Sequence, residues 1–266
     1  MTEIAQLFDG LWRGYTAMAP NAAAISSMLR QRSEAFINDH VALRTFNLGG
    51  IDADAIGGLL MDLGYRPTGR YDFPVKRLSA ASYSLEGHPR VFVSEFLVET
   101  LPEVERRIVE RLVDQIEAPI TDATLAAGLP WAPMKWSDHQ RLKEASEYAA
   151  WVAAFGLCAN HFTVSVNALE SFGDRPLRSL CRWLTSNGQR LNDSGGVIKG
   201  DPSVGLEQFS TLAESTEVTF AGGTTQRIPG CYVEFALRHV RDGDEGLFDG
   251  FIASSADKIF ESTDSH

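Results

Sequence analysis

The chain has 266 residues, of which 44% are hydrophobic and 22% charged, as is typical of a soluble globular protein with a sizeable core. Its formal net charge is −11, and no block of lysines and arginines interrupts the acidic background. This charge pattern disfavours nucleic acids and anionic membrane surfaces as partners.

No secretory signal and no membrane-spanning segment are predicted from the sequence. The segment MTEIAQLFDG carries an acidic residue at once and no basic region ahead of an apolar stretch, so no secretory signal is predicted. The most apolar run, YAAWVAAFGLCA at 148–159, is too short to cross a bilayer and indicates a buried helix. Three scattered cysteines in no CxxC spacing indicate packing roles in a reducing compartment. We therefore expect a cytoplasmic protein, and no oligomeric state is predicted.

After an N-terminal helical region, the sequence predicts a strand, a helix and three more strands. Helical periodicity covers the first 36 residues, with a break at Pro20. A strand is predicted at about 39–47, and a helix in DADAIGGLLMDLGY follows it. Three strand-like segments then follow, YRPTGRYDF, SAASYSL and RVFVSEFLVE. We assign residues 36–100 to a first βαβββ module and residues 101–156 to a helical connection.

The order of elements then repeats. ANHFTVSVN predicts another alternating strand, PLRSLCRWLTSNGQ a helix, and GGVIKG, LEQFSTLA, STEVTFAGG and PGCYVEFALRHV further strands. FVSEF at 92–96 resembles YVEF at 232–235 near the end of each unit. We therefore predict an α+β fold in which the first module and a second one at 157–240 form a curved sheet around one cavity, with added N-terminal and central helices. Residues 1–266 are expected to be a single catalytic domain.

Three predicted strands carry polar side chains that could meet in the cavity. His40 and Arg44 share one face of their strand, because side chains alternate along a strand. His161 begins a polar strand face, and Glu234 lies in an otherwise apolar strand, where a carboxylate needs a compensating cation or hydrogen-bond donors. Two histidines and a carboxylate can occupy one face of an octahedral metal and leave three positions open, which suits Fe(II), a 2-oxo acid and dioxygen. The sequence predicts His40, His161 and Glu234 as metal ligands.

Alternatives to this site stay open from the residues alone. His40 could be a hydrogen-bonded core histidine and Arg44 part of a surface ion pair. Glu95 lies in the equally apolar VFVSEFL and could replace the carboxylate of the second module. Gln208 and Ser210 share a strand face and could bind a substrate carboxylate or an oxygen species, or they could belong to an edge strand with solvated polar groups.

The remaining polar residues have weaker patterns. Asn38 or Asn160 is predicted to fix a histidine tautomer. His88 and His139 are predicted to be solvent-exposed, and His239 to face away from the carboxylate of its strand. The chain contains no GxGxxG, GxxxxGK[ST] or GxSxG pattern, which disfavours nucleotide loops and nucleophile-elbow hydrolases.

The segments NDHVALRTFN, DADAIGGLLMDLGY, PRVFVSEFL, ANHFTVSVN and IPGCYVEFALR together resemble the 2-oxoadipate dioxygenase/decarboxylase family, whose members are also called D-2-hydroxyglutarate synthases. The resemblance runs from about residue 36 to about residue 240. It implies a fold similar to the vicinal-oxygen-chelate enzymes and an Fe(II) centre. Position by position, it implies His40, His161 and Glu234 as metal ligands and Arg44 as the arginine that holds the substrate.

The resemblance also implies a reaction. A 2-oxo dicarboxylic acid and dioxygen would give carbon dioxide and a shortened 2-hydroxy acid, so that 2-oxoadipate would give 2-hydroxyglutarate in lysine catabolism. The chain looks like a short form of the family, so the metal chemistry could be kept while the substrate differs. Two other classes stay open, an oxygen-independent isomerase or lyase with Zn(II), Ni(II) or Mn(II) as a Lewis acid, and a metal-free binding module.

Overall fold

The computed structural model describes residues 2–263. Its helices are α1 (Glu3–Met18), α2 (Pro20–Gln31), α3 (Ala53–Asp62), α4 (Glu103–Val113), α5 (Asp122–Ala127), α6 (Trp136–Ala145), α7 (Glu147–Phe155), α8 (Pro176–Ser186) and α9 (Ala253–Ile259), with a short 3-10 turn at Phe260–Thr263. Its strands are β1 (Asn38–Phe46), β2 (Arg66–Phe73), β3 (Leu78–Ser84), β4 (Arg90–Phe96), β5 (Ala159–Ser165), β6 (Lys199–Asp201), β7 (Leu206–Ser210), β8 (Ser215–Thr219), β9 (Thr225–Pro229) and β10 (Tyr232–Arg238).

Eight of these strands form one mixed sheet in the order β2-β3-β4-β1-β5-β10-β7-β6. The first strand of each half pairs in parallel with the last, β1 with β4 and β5 with β10, and the other neighbours are antiparallel. The two halves of the sheet have equivalent strands: β5 corresponds to β1, β6 to β2, β7 to β3 and β10 to β4. Helix α8 follows β5 in the chain as α3 follows β1. The predicted pair of βαβββ modules in an α+β fold is confirmed.

Two details of the predicted elements are wrong. The segment STEVTFAGG does not join the large sheet, because β8 pairs with β9 in a separate two-stranded sheet inserted before β10. Within the helical connection, the segment SDHQRLKEASEYAAWVAAFG is predicted as one helix and is two, α6 and α7, divided at Ser146. Ser146 has an extended backbone, and its side chain caps α7 by accepting a 3.2 Å hydrogen bond from the Ala149 amide. The apolar run in α7 is buried as predicted, and the described residues include no helix long and apolar enough to cross a membrane.

The N-terminal helices cover one face of the sheet. Trp12 of α1 packs edge-on against Phe162 of β5 at 5.0 Å between ring centroids. The hydroxyl of Tyr15 donates to the carbonyl oxygen of Tyr232 at 2.7 Å, which ties α1 to β10. Because Phe162 and His161 are adjacent in a strand, their side chains point to opposite faces. Helix α1 therefore closes the back of the sheet and leaves the face of His161 to other elements.

Residues 248–263, which we call the C-terminal cover, lie across that opposite face. Phe251 packs edge-on against His40 at 4.9 Å, and α9 contacts β2, β6 and β7. Thr263 at the end of the cover accepts a hydrogen bond from Arg44 at 3.0 Å. The cover follows the second predicted module, and it lies against the strand that carries His40 and Arg44.

Candidate metal centre

The three predicted metal ligands converge from three adjacent strands. His40 of β1 and Glu234 of β10 both lie beside Thr163 of β5 in the sheet register, and His161 is two residues before Thr163. His161 Nε2 is 3.1 Å from Glu234 Oε2, and His40 Nε2 is 3.5 Å from Glu234 Oε1. One donor atom from each residue lies within 4.8 Å of the others. Ligand atoms about 2.1 Å from a divalent ion and at right angles lie about 3 Å apart, so this spacing fits a metal ion.

The burial of this set also fits a metal ion. His40, His161 and Glu234 are only 3%, 6% and 1% exposed. Among residues 2–263, no group makes a hydrogen bond to Glu234 Oε1. A buried carboxylate oxygen without a donor is costly, and a cation between the three side chains would compensate it. The metal-free alternative, in which the carboxylate is satisfied by hydrogen bonds across the cavity, leaves this atom unexplained.

Neighbouring oxygens set the tautomer of both histidines. His40 Nδ1 lies 2.8 Å from Asp39 Oδ1, and His161 Nδ1 lies 3.1 Å from Asn160 Oδ1. Because these oxygens can only accept, each Nδ1 carries the proton and each Nε2 keeps its lone pair for the centre. Burial lowers the pKa of His161, although the charge of Glu234 opposes this. The His161 ring therefore presents the neutral donor that metal ligation requires.

Of the two asparagines predicted as alternatives for fixing a histidine tautomer, Asn160 has this position. Asn160 orients His161 as expected, whereas Asp39 and not Asn38 orients His40. Sequence reasoning also missed Thr163, whose hydroxyl lies 3.0 Å from His40 Nε2. The alternation in ANHFTVSVN, which puts Thr163 on the face of His161, was the signal for it.

Within residues 2–263, Arg44 is a buried cation that forms no ion pair with a carboxylate. The residue is 1% exposed, and its guanidinium carbon lies 4.8 Å and 5.1 Å from the ring centroids of Tyr148 and Trp151. Its Nη1 bonds to Thr263, and its Nη2 has no hydrogen-bond partner in the described part of the chain. It also lines a cavity of about 280 Å³ together with Lys76. The surface ion-pair interpretation of Arg44 is wrong.

Gln208 and Ser210 lie beside this set on β7. Ser210 pairs with Glu234 in the sheet register, so the two side chains share a face. The edge-strand alternative is wrong, because β7 lies between β10 and β6 and both residues are buried. Ser210 Oγ is 2.8 Å from Ser262 Oγ of the cover, and Gln208 Oε1 has no hydrogen-bond partner within residues 2–263. Their binding role stays a prediction.

The other histidines within residues 2–263 do not join the centre. His88 is exposed in a turn, as predicted. His239 lies 2.9 Å from Glu207 and not against the carboxylate of its own strand. The prediction of an exposed His139 is wrong, because its ring is 3% exposed and packs at 5.1 Å against both Trp136 and Phe220. Burial lowers the pKa of His139 to about 4.

Glu95, the alternative carboxylate, has a different role. Its Oε2 accepts from the amide of Ala53 at the start of α3 at 2.8 Å, and its Oε1 accepts from the hydroxyl of Ser79 at 2.6 Å. Both carboxylate oxygens are therefore used to hold α3 and β3 against β4. A negative charge at the first turn of a helix is also favourable to the helix dipole.

Glu95→Gln is expected to lower the free energy of unfolding by about 1–2 kcal/mol, because the charged acceptor at the start of α3 is lost. Metal affinity should not change, since Glu95 is outside the three-residue set. Urea unfolding and metal titration of the same preparation measure the two effects. Loss of metal binding in this variant would return Glu95 to the list of ligands.

Comparisons with known proteins agree with this geometry. A sequence model of the 2-oxoadipate dioxygenase/decarboxylase family matches residues 13–246. A protein of Arabidopsis thaliana named 2-oxoadipate dioxygenase/decarboxylase, chloroplastic, is 35% identical over 251 residues, covering 85% of this chain and 67% of the relative.

Solved structures share the fold. A crystal structure of the hydroxyglutarate synthase of Oryza sativa with 2-oxoadipate superposes with a TM-score of 0.90 at 34% identity, covering 97% of this chain and 91% of that one. A putative glyoxalase superfamily protein of Ralstonia eutropha superposes with a TM-score of 0.74 at 22% identity, covering 93% and 85%. The second match shows the fold alone, and it agrees with the predicted vicinal-oxygen-chelate-like sheet.

Proposed function

Because the chain belongs to the 2-oxoadipate dioxygenase/decarboxylase family, we propose that it converts 2-oxoadipate and dioxygen into 2-hydroxyglutarate and carbon dioxide with Fe(II) as cofactor. The observation that carries the proposal is the buried set His40, His161 and Glu234 on the strand face that also bears Arg44. The reaction balances without a further reductant, since one dioxygen supplies both oxygen atoms that the two products gain. Lysine catabolism and a cytoplasmic location stay predictions.

The ligand set fits the proposed cofactor. Two imidazole nitrogens and one carboxylate are the donors that non-haem Fe(II) oxygenases use, and they leave coordination positions open. Bound Fe(II) would supply dioxygen activation and a Lewis acid for the 2-oxo acid. His40, His161 and Glu234 would hold it, while Asp39 and Asn160 keep both Nε2 atoms directed at the centre.

Arg44 would bind a carboxylate of the substrate. Its Nη2, which has no hydrogen-bond partner within residues 2–263, and its planar guanidinium can form a bidentate, charge-assisted pair with a carboxylate. The rings of Tyr148 and Trp151 restrict the guanidinium, so little freedom is lost when the pair forms. A buried cation without a carboxylate partner is costly, and a dicarboxylic substrate would compensate it. Gln208 and Ser210 would add hydrogen bonds from β7.

The cover would keep bulk water from the reacting atoms. Phe251 lies against His40, and Phe260 lies 5.7 Å from the guanidinium carbon of Arg44. Excluding water strengthens the charge pair at Arg44 and limits side reactions. Since the three ligands are almost fully buried, the cover would have to move for the substrate to reach them.

Oxygen uptake by anaerobically prepared, Fe(II)-loaded protein tests the proposal. We expect uptake with 2-oxoadipate and slower uptake with 2-oxo dicarboxylic acids one carbon shorter or longer, because Arg44 and the three ligands are positioned by adjacent strands of one sheet. Equal amounts of carbon dioxide should be released. No uptake with any of these acids, together with anaerobic conversion by the Mn(II)- or Zn(II)-loaded protein, would instead establish the oxygen-independent isomerase or lyase.

A further inference from the structure

Arg238, at the end of β10, is linked to the metal centre through one intermediate residue. Its side chain is 2% exposed, and its Nε and Nη2 donate to Asp39 Oδ2 and Oδ1 at 2.7 Å and 2.9 Å. The same Asp39 Oδ1 accepts a hydrogen bond from His40 Nδ1 at 2.8 Å. The bidentate pair therefore fixes the carboxylate that in turn fixes the ring of His40.

The same guanidinium also holds the C-terminal cover. Arg238 Nη1 donates to the carbonyl oxygens of Phe248 and Gly250 at 2.8 Å and 2.9 Å. Its guanidinium carbon lies 5.6 Å from the ring centroid of Phe251, the residue whose edge contacts His40. Of the four hydrogen bonds that Arg238 donates, two therefore go to Asp39, which orients His40, and two go to the C-terminal cover.

The charges in this cluster favour one arrangement. Asp39 is buried, and its carboxylate lies within hydrogen-bond distance of both the Arg238 guanidinium and the His40 ring. Because a guanidinium can only donate, both oxygens of Asp39 act as acceptors in this arrangement. Arg90 lies at the rim, 3.6 Å from Asp39 Oδ2, too far for a hydrogen bond. Arg238 is the cation that makes the buried contacts.

We infer that Arg238 is a positioning residue that couples closure of the C-terminal cover to the orientation of the metal ligand His40. The inference rests on the proposed metal centre and adds a link between that centre and the cover. When residues 248–250 lie in place, the guanidinium is held where it orients Asp39. When they leave, Arg238 loses two acceptors and is freer to move away from Asp39. By linkage, metal binding and cover closure should favour each other.

Arg238→Lys tests the coupling, because a single ammonium group cannot reach two carbonyl oxygens and both oxygens of Asp39. We expect the dissociation constant for Fe(II), measured by anaerobic calorimetry, to rise about 10–100-fold. Amide hydrogen exchange over residues 248–252 of the metal-free variant should be faster than in wild type, with exchange in the β8–β9 hairpin unchanged. Arg77→Lys is the matched control, since Arg77 also donates to carbonyl oxygens and lies over an aromatic ring, that of Phe96.

Asp39→Asn tests the contact of Arg238 with the support of His40 separately from its contact with the C-terminal cover. It should weaken Fe(II) binding and leave exchange over 248–252 near the wild-type rate, because Arg238 still reaches the carbonyl oxygens of Phe248 and Gly250. In wild type, Fe(II) should slow amide hydrogen exchange over residues 248–252 more than exchange in the β8–β9 hairpin. This comparison needs no variant, so it tests the coupling even if Arg238→Lys does not fold.

The outcomes distinguish this inference from the proposed function. Wild-type Fe(II) affinity in Arg238→Lys, or equal exchange over 248–252 with and without Fe(II) in wild type, would overturn the coupling alone. Absence of Fe(II) binding by wild type would overturn the proposed function and the coupling with it.

Discussion

Glu234→Gln is expected to abolish Fe(II) binding and turnover without lowering the stability of the metal-free protein. The substitution removes the one charged donor of the set but keeps the side-chain volume. In the metal-free protein it replaces a buried carboxylate whose Oε1 has no hydrogen-bond donor within residues 2–263, so the free energy of unfolding should stay equal or rise. Wild type with Fe(II) at a thousandfold excess over the dissociation constant should gain about 4 kcal/mol, and the variant should gain none.

Glu95→Gln is the matched control for this variant, because β4 and β10 occupy equivalent positions in the two modules. The control should lose stability and keep Fe(II) binding, which is the opposite result. Unfolding curves with and without Fe(II), recorded anaerobically, measure both variants in one experiment. Fe(II)-dependent stabilisation of Glu234→Gln equal to that of wild type would remove Glu234 from the ligand set.

Arg44→Lys is expected to raise KM for 2-oxoadipate about 10–100-fold, with a smaller effect on kcat. Losing one charge-assisted hydrogen bond to a buried carboxylate costs about 1.5–3 kcal/mol, and each 1.4 kcal/mol is a factor of ten in affinity. Lysine keeps the charge but lacks the planar fork that matches a carboxylate. Steady-state oxygen uptake as a function of 2-oxoadipate concentration measures the change.

Fe(II) affinity should be unchanged in Arg44→Lys, because Arg44 is not among the residues of the metal set. Arg70→Lys is a suitable control, since the Arg70 side chain is 72% exposed and pairs with Asp54 at the surface. A wild-type KM in Arg44→Lys would show that another group binds the substrate carboxylate.

Side-chain alternation was sufficient to predict the shared face of the metal set. His40, His161 and Glu234 lie in strands whose sequences alternate regularly, so the polar face could be read from each strand separately. The repeated order of elements then placed the three strands near one another. Distances between the side chains could not be predicted, because they depend on which strands are neighbours and in which register.

Asp39 was missed for a specific reason. Regular alternation puts Asp39 on the face opposite His40, but β1 has an irregular register against β5 between Asn38 and His40. This β-bulge turns the side chain of Asp39 toward the His40 ring, and single-sequence patterns do not indicate bulges. Its partner Arg238 is 199 residues away in the sequence, so local patterns could not indicate the pair.

The C-terminal cover was missed because its contacts are made with distant strands. Segment 248–263 has only a short helix, and periodicity over so few residues is weak. Its contacts with β1 and β7 are made by Phe251, Ser262 and Thr263, and these contacts are seen only in the folded chain. The assignment of residues 1–266 to one catalytic domain stays a prediction.

Turnover of 2-oxoadipate in isotopically labelled dioxygen tests the central claim most directly. The Fe(II)-loaded protein should form 2-hydroxyglutarate that carries two labelled oxygen atoms, one in the new carboxyl group and one in the hydroxyl group, with unlabelled carbon dioxide. His161→Ala should form none. Mass spectrometry of the product decides between the outcomes, and 2-hydroxyglutarate without label, or conversion that proceeds without oxygen, would contradict a dioxygenase reaction at this centre.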